Sequence, residues 1–219
     1  MSRRSRSYPK ALTIAGALAY WAAPATAQQI ENPSFEFPSA IQKPILAAPS
    51  ESLKGSGWAW GHSSGIVRQK AGLAKDVTAY EGSQMAFVRG DRKKSQLPDK
   101  SPQHMFSGVI SGLTPGNQYE VQWAQAGRRL DTGAGALTVI LREKSDAPGK
   151  KPVYLQRAEP VTNKDEWVVT KHTFTATSPE MSLTFVHVIP ASAAAGATGD
   201  ETTFIDAVQV TPVTKPAAQ

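Results

Sequence analysis

The chain has 219 residues, no cysteine, and 24 basic against 18 acidic residues, for a formal net charge of +6. The lack of cysteine excludes disulfides, thiolate metal sites and a cysteine nucleophile. Four of the basic residues lie among the first ten positions, which hold no acid, so the rest of the chain has 20 basic and 18 acidic residues, a balance of +2. This small excess, without basic residues gathered on one face, argues against a nucleic-acid partner.

The first 27 residues have the pattern of a secretory signal peptide. A basic start is followed by an apolar run over 11–23 and by Ala25-Thr26-Ala27, a small-residue cleavage site. The apolar run is too short for a membrane span, and no second long run follows. We therefore expect an exported protein, periplasmic or extracellular, with a single β-sandwich domain over 28–212 and a disordered tail over 213–219.

Short segments that alternate apolar and polar residues dominate the chain. In chain order they are Trp58–Trp60, Gly65–Arg68, Gln84–Arg89, Phe106–Ile110, Gln118–Gln125, Ala136–Leu141, Trp167–Thr175, Met181–Val188 and Thr203–Val210. The clearest is Gln118–Gln125, which places Tyr119, Val121 and Trp123 on one face. Loops are predicted at 38–55, 91–102, 144–152 and 191–201. Many short strands without an amphipathic helix predict an antiparallel sandwich or jelly roll.

One turn has a specific signature. Leu113-Thr114-Pro115-Gly116-Asn117 places Pro and Gly at the two central positions of a type II turn. We expect it to form a hairpin between the strand at Phe106 and the strand at Tyr119.

Six motifs occur in an order that resembles a known group. They are Asn32-Pro33-Ser34-Phe35-Glu36, Gly57-Trp58, Glu81 to Val88, Gly112 to Tyr119, the strand from Trp167 to Phe174, and Phe204-Ile205-Asp206-Ala207-Val208. This order resembles secreted bacterial galactose-binding-like domains, including carbohydrate-binding modules of families 4 and 22. The resemblance implies an all-β fold, an antiparallel β-sandwich of the jelly-roll type. A fibronectin type III domain fits less well, because there the similar turn and strand lie near the end of the domain with only one further strand after them, whereas here three or four more strand candidates follow Tyr119.

The first and last of these motifs each hold one acidic residue, Glu36 and Asp206. We expect the terminal strands that carry them to pair side by side. In the resembled modules, carboxylates at this junction hold a structural calcium ion, so the resemblance implies Glu36 and Asp206 as metal ligands. Many relatives have a second acid where this chain has Ala207. The alternative is that both carboxylates bind backbone N–H groups.

Two regions are candidates for a sugar site, because sugars stack on aromatic rings and bond to polar groups. One is the loop with Trp60 and His62, next to Trp58, which we expect in the core. The other is the polar face opposite the core. We assign to it the remaining candidates, which share long polar side chains: Arg68, Arg89, Glu120, Gln122 and Arg128. A solvated sheet face would show the same pattern.

The sequence favours binding over catalysis. The adjacent acids Asp165-Glu166 and Asp200-Glu201 point to opposite strand faces, and the four histidines lack metal-ligand spacing. The resemblance implies a non-catalytic protein that binds a glycan or a cell-surface polysaccharide. The alternatives are an adhesive surface protein with a protein partner and a small glycan hydrolase. The sequence does not define the oligomeric state.

Overall fold

A computed structural model describes residues 29–90, 105–127, 136–144, 154–158, 166–188 and 201–213. The predicted leader 1–27, the predicted tail after Val213, most of the loops predicted beyond residue 90, and the candidate ligand residue Arg128 lie outside these ranges. In the described part of the chain no helix is both long enough and apolar enough to cross a lipid bilayer.

Twelve strands are present in the described ranges. They are β1 (Gln29–Ile30), β2 (Ile45–Ala47), β3 (Trp58–Trp60), β4 (Ser64–Arg68), β5 (Gln84–Gly90), β6 (Met105–Ser111), β7 (Gln118–Gly127), β8 (Ala136–Glu143), β9 (Tyr154–Ala158), β10 (Val168–Thr175), β11 (Met181–Val188) and β12 (Glu201–Pro212). Short 3₁₀ turns cover Glu51–Leu53 and Gly72–Ala74. The sequence missed β1, β9 and β2, and β2 lies inside the loop predicted at 38–55.

The strands form two antiparallel sheets. Sheet A has the order β1-β6-β11-β8-β9, with β3 also paired to β6, and sheet B has the order β10-β7-β12-β5-β4-β2. From β5 to β12 the chain crosses repeatedly between the sheets, which is the connectivity of a jelly roll. The predicted all-β antiparallel sandwich is therefore confirmed.

The turn at 113–117 is confirmed, but the hairpin predicted from it is wrong. Gly116 has a φ of +87°, and the Asn117 amide donates to the Thr114 carbonyl at 3.1 Å, as a type II turn requires. The turn nevertheless joins β6 in sheet A to β7 in sheet B. The Tyr119 hydroxyl accepts a hydrogen bond from the Thr114 amide at 2.8 Å and fixes this corner between the sheets.

The main core lies between the sheets and is rich in aromatic rings. Tyr119, Val121 and Trp123 point into it, as the alternation along β7 predicted, and Trp58 is buried there as expected. Phe106 packs at its centre against Trp58, with ring centroids 5.4 Å apart. Aromatic rings bury large apolar areas, so this cluster gives the cysteine-free chain a core without disulfides.

A second, smaller apolar cluster lies on the outer face of sheet B. Phe87 and Phe204 are opposite each other in the register of β5 and β12, and both are buried under the segment 69–83. Ala126 on β7 and the partly buried Trp167 complete its edge. This part of the sheet face is therefore covered by the protein's own chain.

The prediction that the first and last strands pair is wrong. β1 pairs with β6, whereas β12 lies in the middle of sheet B between β5 and β7. The two terminal motifs still meet, because the Val208 amide donates to the Pro33 carbonyl at 3.0 Å. Residues 32–36 lie outside any strand, so the first motif meets β12 as a loop rather than through a ladder of paired residues.

Candidate functional site

Glu36 and Asp206 hold the same stretch of backbone, the turn that leads into β5. Asp206 Oδ2 accepts the amides of Tyr80 and Glu81, both at 2.9 Å. Glu36 Oε1 accepts the amides of Ser83 and Gln84, both at 2.8 Å, and its Oε2 accepts the Ser83 hydroxyl at 2.9 Å. Two carboxylates far apart in the sequence therefore hold the same turn, 80–84.

This turn requires glycine at position 82. Gly82 has a φ of +60°, and a Cβ atom there would lie 2.5 Å from Glu36 Oε1. On the other side, β12 has a bulge between Asp206 and Gln209, with Ala207 at a φ of +49°. Asp206 Oδ1 accepts the Ala207 amide at 2.8 Å, which stabilises this left-handed residue.

The burial of Asp206 changes its acidity. The side chain is fully buried on the outer face of sheet B. Its pKa rises to about 7 as the net result of opposing effects: loss of hydration raises it most, the three backbone N–H donors lower it, and the nearby charge of Glu81 adds a small increase. The desolvation effect is the largest of these because the carboxylate has no access to water.

These carboxylates do not have the surroundings of a calcium site. Both oxygens of Asp206 and both oxygens of Glu36 already accept hydrogen bonds, so N–H and O–H groups point at them where a cation would lie. Calcium takes six to eight oxygen ligands. No group of three or more Asp, Glu, His or Cys side chains that could hold a metal occurs within the described ranges. The ion stays a prediction from the resemblance, and the residues present fit the alternative of backbone binding.

The uncovered part of the outer face of sheet B is bordered by two aromatic rings, Tyr80 and Trp167, which we call the aromatic ledge. Their ring centroids are 5.9 Å apart in an edge-to-face arrangement. The Trp167 indole N–H donates to the Thr78 carbonyl at 2.8 Å, which fixes the indole against the segment 69–83. Tyr80 is 44% exposed. Val169, which follows Trp167 on the same face of β10, is 40% exposed. An accessible ring thus borders an open sheet surface.

Polar side chains continue this surface along three strands, and we call them the polar rows. Lys171, Gln122 and Gln209 are opposite one another in register across β10, β7 and β12. In the next row Glu120 lies on β7, and the Lys171 ammonium contacts its carboxylate at 3.0 Å. The one positive and one negative charge balance. An exposed pair of this kind contributes about 0–1 kcal/mol, so a ligand can compete for it.

Arg68 and Arg89 do not join Glu120 and Gln122. Arg68 shares the inner face with Gln84, and its guanidinium donates to the Ile41 carbonyl at 3.1 Å. Arg89 is on the outer face of β5, opposite Thr202, six steps along the sheet from the Gln122 row. At 3.3–3.4 Å per step this separation is about 20 Å. The predicted polar site therefore reduces to Glu120 and Gln122, with Lys171 and Gln209 added.

Trp60 and His62 lie at the opposite side of the domain. Trp60 is half-buried on β3, stacks on Phe106 with centroids 5.0 Å apart, and donates its indole N–H to Ser56 Oγ at 2.8 Å. His62 is exposed in the following turn. Trp60 thus belongs partly to the core. It also lines a cavity of about 440 Å³ on the outer face of sheet A and one of about 330 Å³ beside Glu51–Leu53.

Sequence reasoning missed Tyr80, Lys171 and Gln209. Tyr80 lies in a segment without strand periodicity, so no pattern marked it as part of a site. Lys171 and Gln209 alternate with buried or inward-facing residues in the same way as Gln122 does. Their alternation could have identified them, once the pairing of β10 and β12 with β7 was known.

No family model matches the chain. Among curated proteins it is similar to halomucin of Haloquadratum walsbyi, with 29% identity over 176 residues. That match covers 80% of this chain, but the chain spans only about 2% of halomucin.

Solved structures similar to the chain include carbohydrate-binding modules, the class that the sequence resemblance named. A family 61 module in complex with β-1,4-galactotriose has 12% identity and a TM-score of 0.48, covering 86% of this chain and all of the module. The family 22 xylan-binding domain from Paenibacillus barcinonensis Xyn10C has 12% identity and a TM-score of 0.47, covering 74% of this chain and 88% of that domain.

Proposed function

We propose that the protein is a non-catalytic carbohydrate-binding domain that holds a glycan on the outer face of sheet B. The observation that carries this proposal is the accessible ring of Tyr80 beside the polar rows. A sugar has an apolar C–H face that stacks on an aromatic ring, and hydroxyls that bond to amide groups. Gln122 and Gln209 offer both donors and acceptors, so they suit hydroxyls of either role.

The shape and charge of this surface favour an uncharged sugar chain. From Trp167, which directly precedes β10, to Thr173 the outer face extends over six residue steps, about 20 Å at the rise of a strand. The surface is longer than one sugar ring, and within the polar rows the charges of Lys171 and Glu120 balance. We infer a neutral oligosaccharide or polysaccharide as the ligand.

Two further features of the proposal concern catalysis and location. The carboxylates of Glu36 and Asp206 are both engaged by backbone amides, which supports a structural rather than a catalytic use. The predicted leader over 1–27 supports export, with a cell-surface or extracellular polysaccharide as the partner.

A glycan array tests the proposal directly, with β-1,4-galactotriose and xylan oligosaccharides among the neutral ligands. The wild-type protein should bind at least one neutral glycan, and Tyr80→Ala and Gln122→Ala should each lower the apparent affinity about tenfold. Loss of one aromatic stacking contact or of one hydrogen bond costs about 1–2 kcal/mol of binding free energy, which corresponds to a change in affinity of about tenfold. The matched control Tyr80→Phe keeps the ring and should retain most of the binding. Failure of the wild type to bind any neutral glycan, or wild-type affinity in both alanine variants, would contradict the proposal.

A protein partner is the second candidate function, favoured by one surface feature. Phe37 and Ile41 are 59% and 72% exposed in the same loop. Exposed apolar patches are typical of protein contacts, and these two side chains lie four residues apart in the chain. A defined partner that binds the wild type but not a Phe37→Ser, Ile41→Ser variant would support this alternative.

A further inference from the structure

The cavity of about 440 Å³ on the outer face of sheet A is separate from the polar rows, because it lies on the opposite sheet. Part of the lining of this cavity is one row of residues that are paired in register across β3, β6, β11 and β8: Ala59, Ser107, Thr184 and Ile140. Its volume lies in the range of about 300–1,000 Å³ typical of small-molecule sites.

The floor of this cavity is nearly buried, and its lining combines apolar and hydrogen-bonding groups. Thr184 and Val186, on the central strand β11, are each 8% exposed and form the floor. Ile140 on β8 and Met105 on β6 supply apolar surface on either side. Hydroxyl groups of Ser107 and Thr184 lie within the same lining, so apolar and hydrogen-bonding groups alternate over a short distance.

One charge stands at the rim. Arg142 is exposed on the outer face of β8, two residues from Ile140, and it is the one charged side chain among the described residues that line the cavity. A guanidinium binds a carboxylate or a sulfate through two parallel hydrogen bonds. The lining therefore has a net positive charge, whereas the polar rows of sheet B have none.

We propose that this cavity binds a sugar residue that carries an acidic group. The acid group pairs with the Arg142 guanidinium, the apolar face of the ring packs on Ile140 and Val186, and the hydroxyls bond to Ser107 and Thr184. This site goes beyond the proposed function, because it lies on the other sheet and takes a different class of ligand. The acidic group is a uronic acid carboxylate or a sugar sulfate ester, which share the same anionic chemistry.

Titration calorimetry on the full chain with four probes tests the proposal. The probes are trigalacturonate, a sulfated galactose oligosaccharide, neutral β-1,4-galactotriose and inorganic sulfate. We expect the wild type to bind trigalacturonate or the sulfated sugar at least tenfold more tightly than inorganic sulfate. Arg142→Gln should lower that affinity at least tenfold, because it removes a charge-assisted pair. Arg142→Lys keeps the charge but cannot form two parallel hydrogen bonds, so its affinity should lie between those of the wild type and Arg142→Gln.

Three results would overturn the proposal. They are equal binding of the acidic sugars and inorganic sulfate, unchanged affinity in Arg142→Gln, and failure of the wild type to bind either acidic sugar. Arg142 is exposed, so the variants should keep the thermal midpoint of the wild type. Tyr80→Ala separates the two sites: it should weaken binding of neutral glycans and leave trigalacturonate or sulfated-sugar binding unchanged. Failure of the sheet B site and failure of this cavity are thus measured independently.

Discussion

The buried carboxylate of Asp206 should make the protein less stable as the pH rises. Its pKa is about 7 in the folded protein, against an ordinary value of 3.8, so the folded state holds the proton more tightly than the unfolded state. The stabilisation this gives is fully present below pH 3.8 and is lost as the pH rises through 7. A difference of about three units corresponds to about 4 kcal/mol in total, of which about 3 kcal/mol falls between pH 5 and pH 8.

Asp206→Asn removes the titrating group while keeping a similar shape. Urea unfolding of both proteins at pH 5 and at pH 8 gives the free energy of unfolding at each pH. The wild type should lose about 3 kcal/mol more than the variant between these values. Tyr119→Phe is the control, because it removes a hydrogen bond far from Asp206 and should leave the pH dependence unchanged.

Equal losses in wild type and Asp206→Asn would refute the reasoning. If the three N–H donors outweighed desolvation, the pKa would be depressed, and the two proteins would diverge below pH 4 instead. The pH at which the curves separate therefore decides which effect dominates.

The remaining predictions concern the turns and the second terminal carboxylate. Gly82→Ala should lower the free energy of unfolding by about 2 kcal/mol or more, because it combines a left-handed backbone with a clash against Glu36. Gly116→Ala is its matched partner: it has a similar φ but open space around Cβ, so it should cost only about 1 kcal/mol, and a larger loss than in Gly82→Ala would contradict the argument. Glu36→Ala should cost about 2 kcal/mol in urea unfolding, since it leaves two amides and a hydroxyl without their acceptor, and a loss below 0.5 kcal/mol would show that water replaces it. Tyr119→Phe should cost about 1 kcal/mol by the same assay, and an unchanged midpoint would show that its hydroxyl does not fix the corner.

The sequence predicted strands well where one face is buried. The alternation in β7 was read correctly because Tyr119, Val121 and Trp123 face the core and their neighbours do not. β2 was missed because it has only three residues and lies among prolines, which gives periodicity too few positions to appear. The alternation of apolar and polar residues therefore predicts most strands but not the shortest ones.

The local sequence pattern does not predict which strands pair with one another. The turn at 113–117 has the residues of a tight turn whether the next strand joins the same sheet or the opposite one, so the hairpin prediction failed. The partners of Glu36 and Asp206 were missed for a similar reason. A carboxylate beside backbone amides and one beside a cation have the same sequence signature, and only the fold brings the turn 80–84 to both.

The central place of β12 in sheet B has a consequence for how the chain folds. β5 and β7 do not pair with each other: β12 lies between them and pairs with both. β12 is formed by residues 201–212, near the end of the described sequence. Sheet B can therefore be completed only after nearly the whole described sequence is available, and contacts between distant residues slow folding. Until then the strand edges of β5 and β7 are open to other chains, so a truncation before residue 201 should aggregate rather than form a smaller domain.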